Sequence, residues 1–350
     1  MHDGAAVTQK GSMRGRVEMY NANALKIGLF GANCSSARTA TLVPERWSAS
    51  WPDCLKLARL ADEAGIDFLL PIGRWKGYGG DTDFHGTTLE TLTWASGLLA
   101  ATERITVFGT VHAPLFHPLI AAKEMVTADQ IGGGRFGLNL VAGWNEGEFQ
   151  MFGVAQREHE ERYQFAQEWI DVIKHAWSGE EFDFNGRYFN LAGIRAKPGP
   201  VGGTRPVIMN AGQSGTGQAF AMRNCDAFFT STSGARLAAA GTSQAMDQAK
   251  VFELIVKQVN DIKAEGRKFG REIEVYTQGQ VICRPIQKEA EDYYHYTNVD
   301  NADWGAIDRM LALKNITPQN TAADVFAGKR SMMASHGVGG YPFVGSPDKV

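Results

Sequence analysis

From Lys26 onward, short apolar runs alternate with longer amphipathic stretches, and few architectures accommodate that order. A strand covered on both faces reads as an unbroken apolar run, and a parallel neighbour requires a crossover, so the alternation specifies repeated βα units around a parallel sheet. Seven runs read as strands: Lys26–Gly31, Asp67–Pro71, Ile105–Thr110, Phe136–Val141, Pro206–Asn210, Ala227–Ser231 and Glu274–Cys283. The intervening segments carry helix punctuation. Ser50-Trp-Pro-Asp supplies an N-cap and an early proline, Leu55, Ala58 and Ala61 mark a buried face, and Gly65 closes the helix. Glu158–Trp177 places Ala166, Ile170, Ile173 and Trp177 at helical spacing behind an acidic first turn.

A chain of 350 residues suits a (β/α)8 TIM barrel with insertions, a fold that needs about 250. Residues 1–25 read as a mobile N-terminal arm, and 26–350 as one barrel domain in which 298–345 is a long insertion. Gly73–Thr88 is a long loop after the second strand, rich in glycine and aromatic residues, and Phe182–Leu191 reads as a hairpin turning at Asn185-Gly186. Seven strands fall one short of a closed barrel and leave two unpaired edges. The count therefore predicts either an eighth βα unit missing from these residues, or a filler drawn from the arm or from 298–345.

A formal net charge of −3 leaves no general basic surface for nucleic acid, and no apolar stretch has the length of a signal peptide or membrane span. Cys34, Cys54, Cys225 and Cys283 are scattered and read as reduced core thiols of a cytoplasmic protein. The partner this composition favours is a small molecule.

In a parallel barrel the loops after the strands' C-terminal ends form the reactive face. Asn139 sits among apolar neighbours in the fourth strand, where alternation can turn its amide into the barrel mouth. The same residue also reads as a buried amide satisfied by nearby backbone. Thr110 ends the adjacent strand. Trp144 follows Gly143 and can wall a flat ligand, while Trp75, Tyr78 and His85 on the long loop and His112 after the third strand are candidates for a substrate pocket. In VIMNAGQSGTGQAFA, the N–H groups of Gly212, Gln213, Ser214 and Gly215 can cradle a phosphate at a helix start, although Ser214 equally reads as a plain N-cap. No histidine has a carboxylate at metal-ligand spacing, so no metal site is expected.

The segments LLAATERITVFGTVHAPLFHPLIAAKEMVTADQIGGGRFGLNLVAGWNEGEFQMFG, ERYQFAQEWIDVIK, FNGRYFNL, KPGP and NAGQSGTGQAFA resemble, in order and spacing, the bacterial luciferase-like flavin monooxygenases. Within them the resemblance is to the branch holding pyrimidine oxygenase and dimethyl sulfone monooxygenase. It implies a barrel that receives reduced FMN from a separate NAD(P)H:flavin reductase, uses O2, and oxygenates a small heterocyclic or organosulfur compound. It also implies that Asn139 meets the isoalloxazine edge, that Thr110 helps form the oxygen pocket and that Trp144 lines the ring or substrate side. Gly212, Gln213 and Ser214 would hold the FMN phosphate, approached by Tyr163. A mouth rich in Trp, Tyr, Phe, Thr and Asn agrees, since the flavin carries the electrons and the protein must bind the ring and exclude water.

The resemblance further implies a homodimer or homotetramer, and a helix opening at Gly345-Ser-Pro-Asp-Lys-Val350. Ser35–Ser48 and Gly73–His85 depart from the family's pattern where the substrate pocket is shaped, which leaves the substrate open. Three other uses of the scaffold stand beside the leading one: a riboflavin lyase forming lumichrome, a deazaflavin-dependent dehydrogenase, and a flavin-binding barrel without catalysis.

Overall fold

The computed structural model describes residues 18–231, 248–335 and 340–350. Eleven strands occur among them: β1 (Gly28–Phe30), β2 (Phe68–Leu70), β3 (Thr106–His112), β4 (Phe136–Val141), β5 (Glu181–Asn185), β6 (Asn190–Arg195), β7 (Val207–Asn210), β8 (Ala227–Phe229), β9 (Glu274–Tyr276), β10 (Gly279–Cys283) and β11 (Tyr341–Gly345). Seven of them form one sheet in the order β1-β2-β3-β4-β7-β8-β9, and every pairing within it is parallel.

The register sorts each strand into two faces. Phe108, Thr110 and His112 of β3 lie opposite Gly137, Asn139 and Val141 of β4, and Gly137 and Asn139 lie opposite Val207 and Met209 of β7. Phe68, Leu70, Phe108, Val207, Met209, Ala227 and Tyr276 pack together as the interior of the curled sheet. Phe136, Leu138 and Leu140 of β4 instead join the larger cluster formed with the covering helices. The sheet curls far enough for Phe30 of β1 to meet Phe229 of β8, with ring centroids 5.1 Å apart, and for Phe68 of β2 to meet Tyr276 of β9 at 5.3 Å.

The helices that cover this sheet have the ends that their sequences specify. In helix Trp51–Glu63 the Ser50 side chain accepts from Asp53 N–H, and Cys54, Ala58 and Ala61 are buried. Leu55 packs at the margin of that face. Helix His159–Ser178 buries Ala166, Ile170, Ile173 and Trp177 and ends on Gly179 in the left-handed region.

Four expectations are corrected. The run Glu274–Cys283 is two strands rather than one, because the chain leaves the barrel sheet after Tyr276 and β10 pairs with β11, 62 residues further along between Gly279 and Tyr341. The hairpin 181–195 turns through residues 186–189 rather than a two-residue Asn-Gly turn, since the Glu168 carboxylate accepts from the N–H groups of Arg187, Tyr188 and Phe189 and stabilises the longer loop. Cys283 is exposed at the end of β10, whereas Cys34, Cys54 and Cys225 are buried thiols. The arm is packed at its inner end: Glu18–Tyr20 form a 3-10 turn, and Met19 is buried beneath the barrel against the interior cluster. Residues 1–17 of that arm lie outside the described residues.

The described parts of the two proposed fillers do not close the sheet. Among the described residues no strand joins β9 to β1, β11 pairs with β10 alone, and residues 346–350 form a turn. Helices Trp304–Ala312 and Ala323–Ser335 of the segment 298–345 pack with Ala40 and Phe84 as a separate small core. Asp303, buried before the first of them, accepts from Asp81 N–H, Thr82 N–H and the Thr82 hydroxyl, which fastens the long loop after β2 over the barrel mouth.

Candidate active site

Thr110 and Asn139 are register partners on β3 and β4, both buried and both on the interior face. The Thr110 hydroxyl lies 2.6 Å from the Pro71 carbonyl and donates its single proton there. Its oxygen can then only accept, and it accepts from Asn139 Nδ2 at 3.1 Å. This fixes the amide's direction. Asn139 Oδ1 is left buried with no hydrogen-bond partner, a state that costs about 1–3 kcal/mol unless a ligand donates to it.

His112 follows Thr110 on the same face because β3 runs to residue 112, two residues past its expected end. Burial lowers its pKa to about 4, so the imidazole is neutral, and its ring makes no hydrogen bond among the described residues. Gly73, at the start of the long loop, lies hard against this pair: a Cβ there would sit 2.7 Å from His112 Cε1 and 3.0 Å from Thr110 Cγ2.

After β7 the chain makes the glycine-rich turn. Asn210 shapes it, donating from Nδ2 to the Leu140 carbonyl at 2.7 Å and accepting from Gly212 N–H at 2.8 Å. Ser214 caps helix Gly215–Asn224, its hydroxyl accepting from Gly217 N–H at 3.1 Å. The N–H groups of Gln213, Ser214, Gly215 and Thr216 make no hydrogen bond among the described residues. With the helix dipole, these N–H groups are donors of the kind an anion takes and make the turn a candidate anion cradle. Tyr163, on helix His159–Ser178, closes its side: Cβ atoms on Gly212 and Gly217 would stand 2.7 and 2.5 Å from its hydroxyl. Burial raises the Tyr163 pKa, with the Ser214 hydroxyl acting in the opposite sense.

An acceptor buried in the mouth and a cluster of N–H donors at a helix start suit a ligand with an N–H-bearing ring at one end and a phosphate at the other. FMN has that form, and these residues fit it. Residues 26–350 match the family described as luciferase-like monooxygenase. The chain belongs to that family.

Among the relatives of this luciferase-like monooxygenase, the FMNH2-dependent dimethylsulfone monooxygenase of Pseudomonas putida is 31% identical over 267 residues, covering 76% of this chain and 68% of that protein. Pyrimidine monooxygenase RutA of Acinetobacter baylyi is 29% identical over 293 residues, 82% of this chain and 74% of that protein. Among solved structures, riboflavin lyase RcaE in complex with modified FMN and riboflavin aligns with a TM-score of 0.78 at 22% identity, over 94% of this chain and 83% of that one. DmoA from Hyphomicrobium sulfonivorans aligns at 0.75 and 18%, over 93% and 80%. These two structures share the fold, an α/β barrel with parallel strands, and the family is one of flavin-dependent monooxygenases.

The other residues singled out from sequence fall in three places. Trp75 stands edge-on to Phe152 with centroids 5.0 Å apart, and Trp144 is exposed, with the Arg74 guanidinium 5.4 Å from its ring centroid. Tyr78 is partly buried and stacks on Phe84. His85 lies deeper. It stacks on Phe84 at 3.9 Å, its Nε2–H donates to the Ala37 carbonyl at 2.5 Å, and burial lowers its pKa to about 3.

Two details differ from the sequence reading. Gly212 N–H is spent on Asn210, so the cradle shifts one residue onward, to 213–216. The Gln213 side chain serves the protein itself, donating to the Phe229 carbonyl at 2.9 Å and accepting from the Thr230 hydroxyl at 3.3 Å, and only its backbone faces the cradle.

Sequence reasoning missed Arg74 and Glu148. They form a buried ion pair at 2.9 Å, and the same Glu148 oxygen accepts from Trp75 N–H at 2.8 Å. The signal was faint: an arginine one residue beyond the mouth glycine Gly73, and one acid among several in the stretch after β4.

Proposed function

We propose that this protein is a two-component monooxygenase that takes reduced FMN from a separate NAD(P)H:flavin reductase and uses O2 to oxygenate a small, uncharged heterocyclic or organosulfur compound in the cytoplasm. The buried, unpartnered Oδ1 of Asn139 carries this reading, because it is an acceptor awaiting an N–H. Bound there, reduced FMN supplies the two electrons with which one atom of O2 enters the substrate and the other leaves as water.

The chain's own residues bind and orient. Thr110 holds the Asn139 amide with its oxygen toward the ring, and the N–H groups of residues 213–216 take the phosphate beside Tyr163. His112, neutral on the same interior face, is free to donate or accept one hydrogen bond toward the substrate. Trp75 and Trp144 wall the mouth and exclude water, which suppresses loss of the activated oxygen to solvent. Asp303 keeps the long loop closed over the site. The relatives named for dimethylsulfone and pyrimidine support the substrate classes.

The test is isotopic. Sulfones, uracils and riboflavin are incubated with the protein, FMN, NADH and a flavin reductase under 18O2. One 18O per product molecule from a sulfone or a uracil is expected. Lumichrome from riboflavin would replace this reading with the lyase, and hydrogen peroxide as the only product with every compound would remove the monooxygenase assignment.

A further inference from the structure

Four of the six non-glycine residues with left-handed backbone among the described residues fall in two neighbouring loops. Ser36 (φ 61°) and Ala37 (φ 43°) lie after β1, and Asp83 (φ 45°) and His85 (φ 62°) lie in the long loop after β2. That conformation is sterically costly for an L residue, so it persists only where the surroundings impose it. Here a seam between the loops imposes it. Cys34 bridges Thr88, Ser35 N–H donates to the Thr87 carbonyl at 2.8 Å, and His85 Nε2–H donates to the Ala37 carbonyl. The seam is incomplete, because the Ser36 hydroxyl and His85 Nδ1 are buried with no hydrogen bond among the described residues. Each unanswered group adds to the free energy of the closed arrangement.

The long loop has a fixed base and a separately held tip. Asn33, fully buried, accepts from Ile72 N–H and donates to the Ile72 and Leu89 carbonyls, which clamps both ends. Beyond the base the chain passes through Gly77, Gly79 and Gly80 to Asp81 and Thr82, whose donors all go to the Asp303 carboxylate. A Cβ on Gly80 would stand 2.3 Å from Asp303 Oδ1, so the tip rests directly on that group. Asp303 belongs to the distant segment that carries helix Trp304–Ala312, which it also caps through Ala306 N–H at 3.0 Å. One carboxylate thus holds down a loop whose own backbone is strained.

We propose that the long loop is a strained lid. Asp303 latches its tip, and release lets Asp83 and His85, with Ser36 and Ala37 across the seam, relax from the left-handed region and carry the tip off the mouth to admit reduced FMN. What enters rests on the flavin-monooxygenase reading above; the motion itself does not.

The test is hydrogen exchange in the ligand-free full chain, read by mass spectrometry over residues 77–84. Asp303→Asn keeps a capping oxygen for the helix but weakens the latch, so exchange in 77–84 should be roughly tenfold faster with helix Trp304–Ala312 unchanged. The double variant Ser36→Gly/Ala37→Gly keeps the Ala37 carbonyl and removes the strain on that side of the seam. It should slow exchange in 77–84 by roughly threefold, both alone and combined with Asp303→Asn. Wild-type exchange in Asp303→Asn overturns the latch, and unchanged or faster exchange in the glycine variant overturns the strain. In anaerobic stopped flow, reduced FMN should associate roughly threefold more slowly with the glycine variant, in proportion to its less frequent opening. An unchanged association rate overturns the role in admitting flavin. Wild-type protein that does not bind reduced FMN overturns the flavin reading, and the exchange result then decides the lid alone.

Discussion

Thr110 and Asn139 face each other across β3 and β4, and the hydrogen bond between them runs in one direction, from amide to hydroxyl, because the Pro71 carbonyl takes the hydroxyl's proton. The mouth therefore presents an acceptor. Thr110→Val removes both bonds and releases the amide, whereas Thr110→Ser keeps them. With a net hydrogen bond at about 0.5–1.5 kcal/mol, the valine variant should bind reduced FMN roughly two- to tenfold more weakly in anaerobic titration, and the serine variant as wild type. Wild-type affinity in Thr110→Val would show that the amide's direction is irrelevant to the flavin.

Asn139→Ala is expected to reduce substrate oxygenation more than FMN affinity. One amide bond is a small part of a multi-contact affinity, but ring orientation depends on it. Steady-state turnover together with the FMN dissociation constant checks this, and unchanged turnover would remove Asn139 from the site.

Ser214→Asp places a negative charge on the cradle formed by residues 213–216. FMN should bind at least tenfold more weakly, and riboflavin, which lacks the phosphate, should be far less affected. Equal losses would put the phosphate elsewhere.

The close approach of Tyr163 to the turn is testable by crowding it. A Cβ on Gly217 would stand 2.5 Å from the Tyr163 hydroxyl and 3.0 Å from Gly212 backbone atoms. Gly217→Ala should lower the thermal midpoint by several degrees, and adding Tyr163→Phe should recover part of that loss by removing the nearer clash. No recovery in the double variant would mean that the Gly212 contact dominates.

His85 and His112 are held neutral, with pKa values lowered by burial to about 3 and about 4 from an ordinary value near 6.5. The unfolded chain protonates first as pH falls, so stability is complete above about pH 6.5, declines between there and pH 4, and His85 extends the decline toward pH 3. Each group contributes a slope of up to about 1.4 kcal/mol per pH unit. His112→Gln should reduce the wild-type slope of urea-unfolding free energy between pH 6.5 and 4.5, and an undiminished slope would show that His112 is free to protonate in the fold.

The barrel strands were legible because their causes are local. In β4, the alternation of Gly137, Asn139 and Val141 with Phe136, Leu138 and Leu140 assigns the faces without knowledge of any partner strand. The break after Tyr276 was not, because Val281 and Ile282 continue the apolar pattern and only β11, far along the chain, decides where β10 pairs. The cradle's shift from Gly212 to the next residue depends on which way the Asn210 side chain turns, and composition does not carry that. Arg74 and Glu148 are separated by 74 positions, so each alone reads as an ordinary surface charge and the pair exists only in the fold.

Reduced FMN is expected to lie with its phosphate on the turn after β7 and its ring against Asn139. A crystal structure of the anaerobic reduced-FMN complex measures this directly. The expected result has phosphate oxygens within hydrogen-bond distance of at least two N–H groups among residues 213–216, and a ring N–H on Asn139 Oδ1. A flavin bound elsewhere, or a ring that leaves Asn139 Oδ1 without a donor, would contradict it.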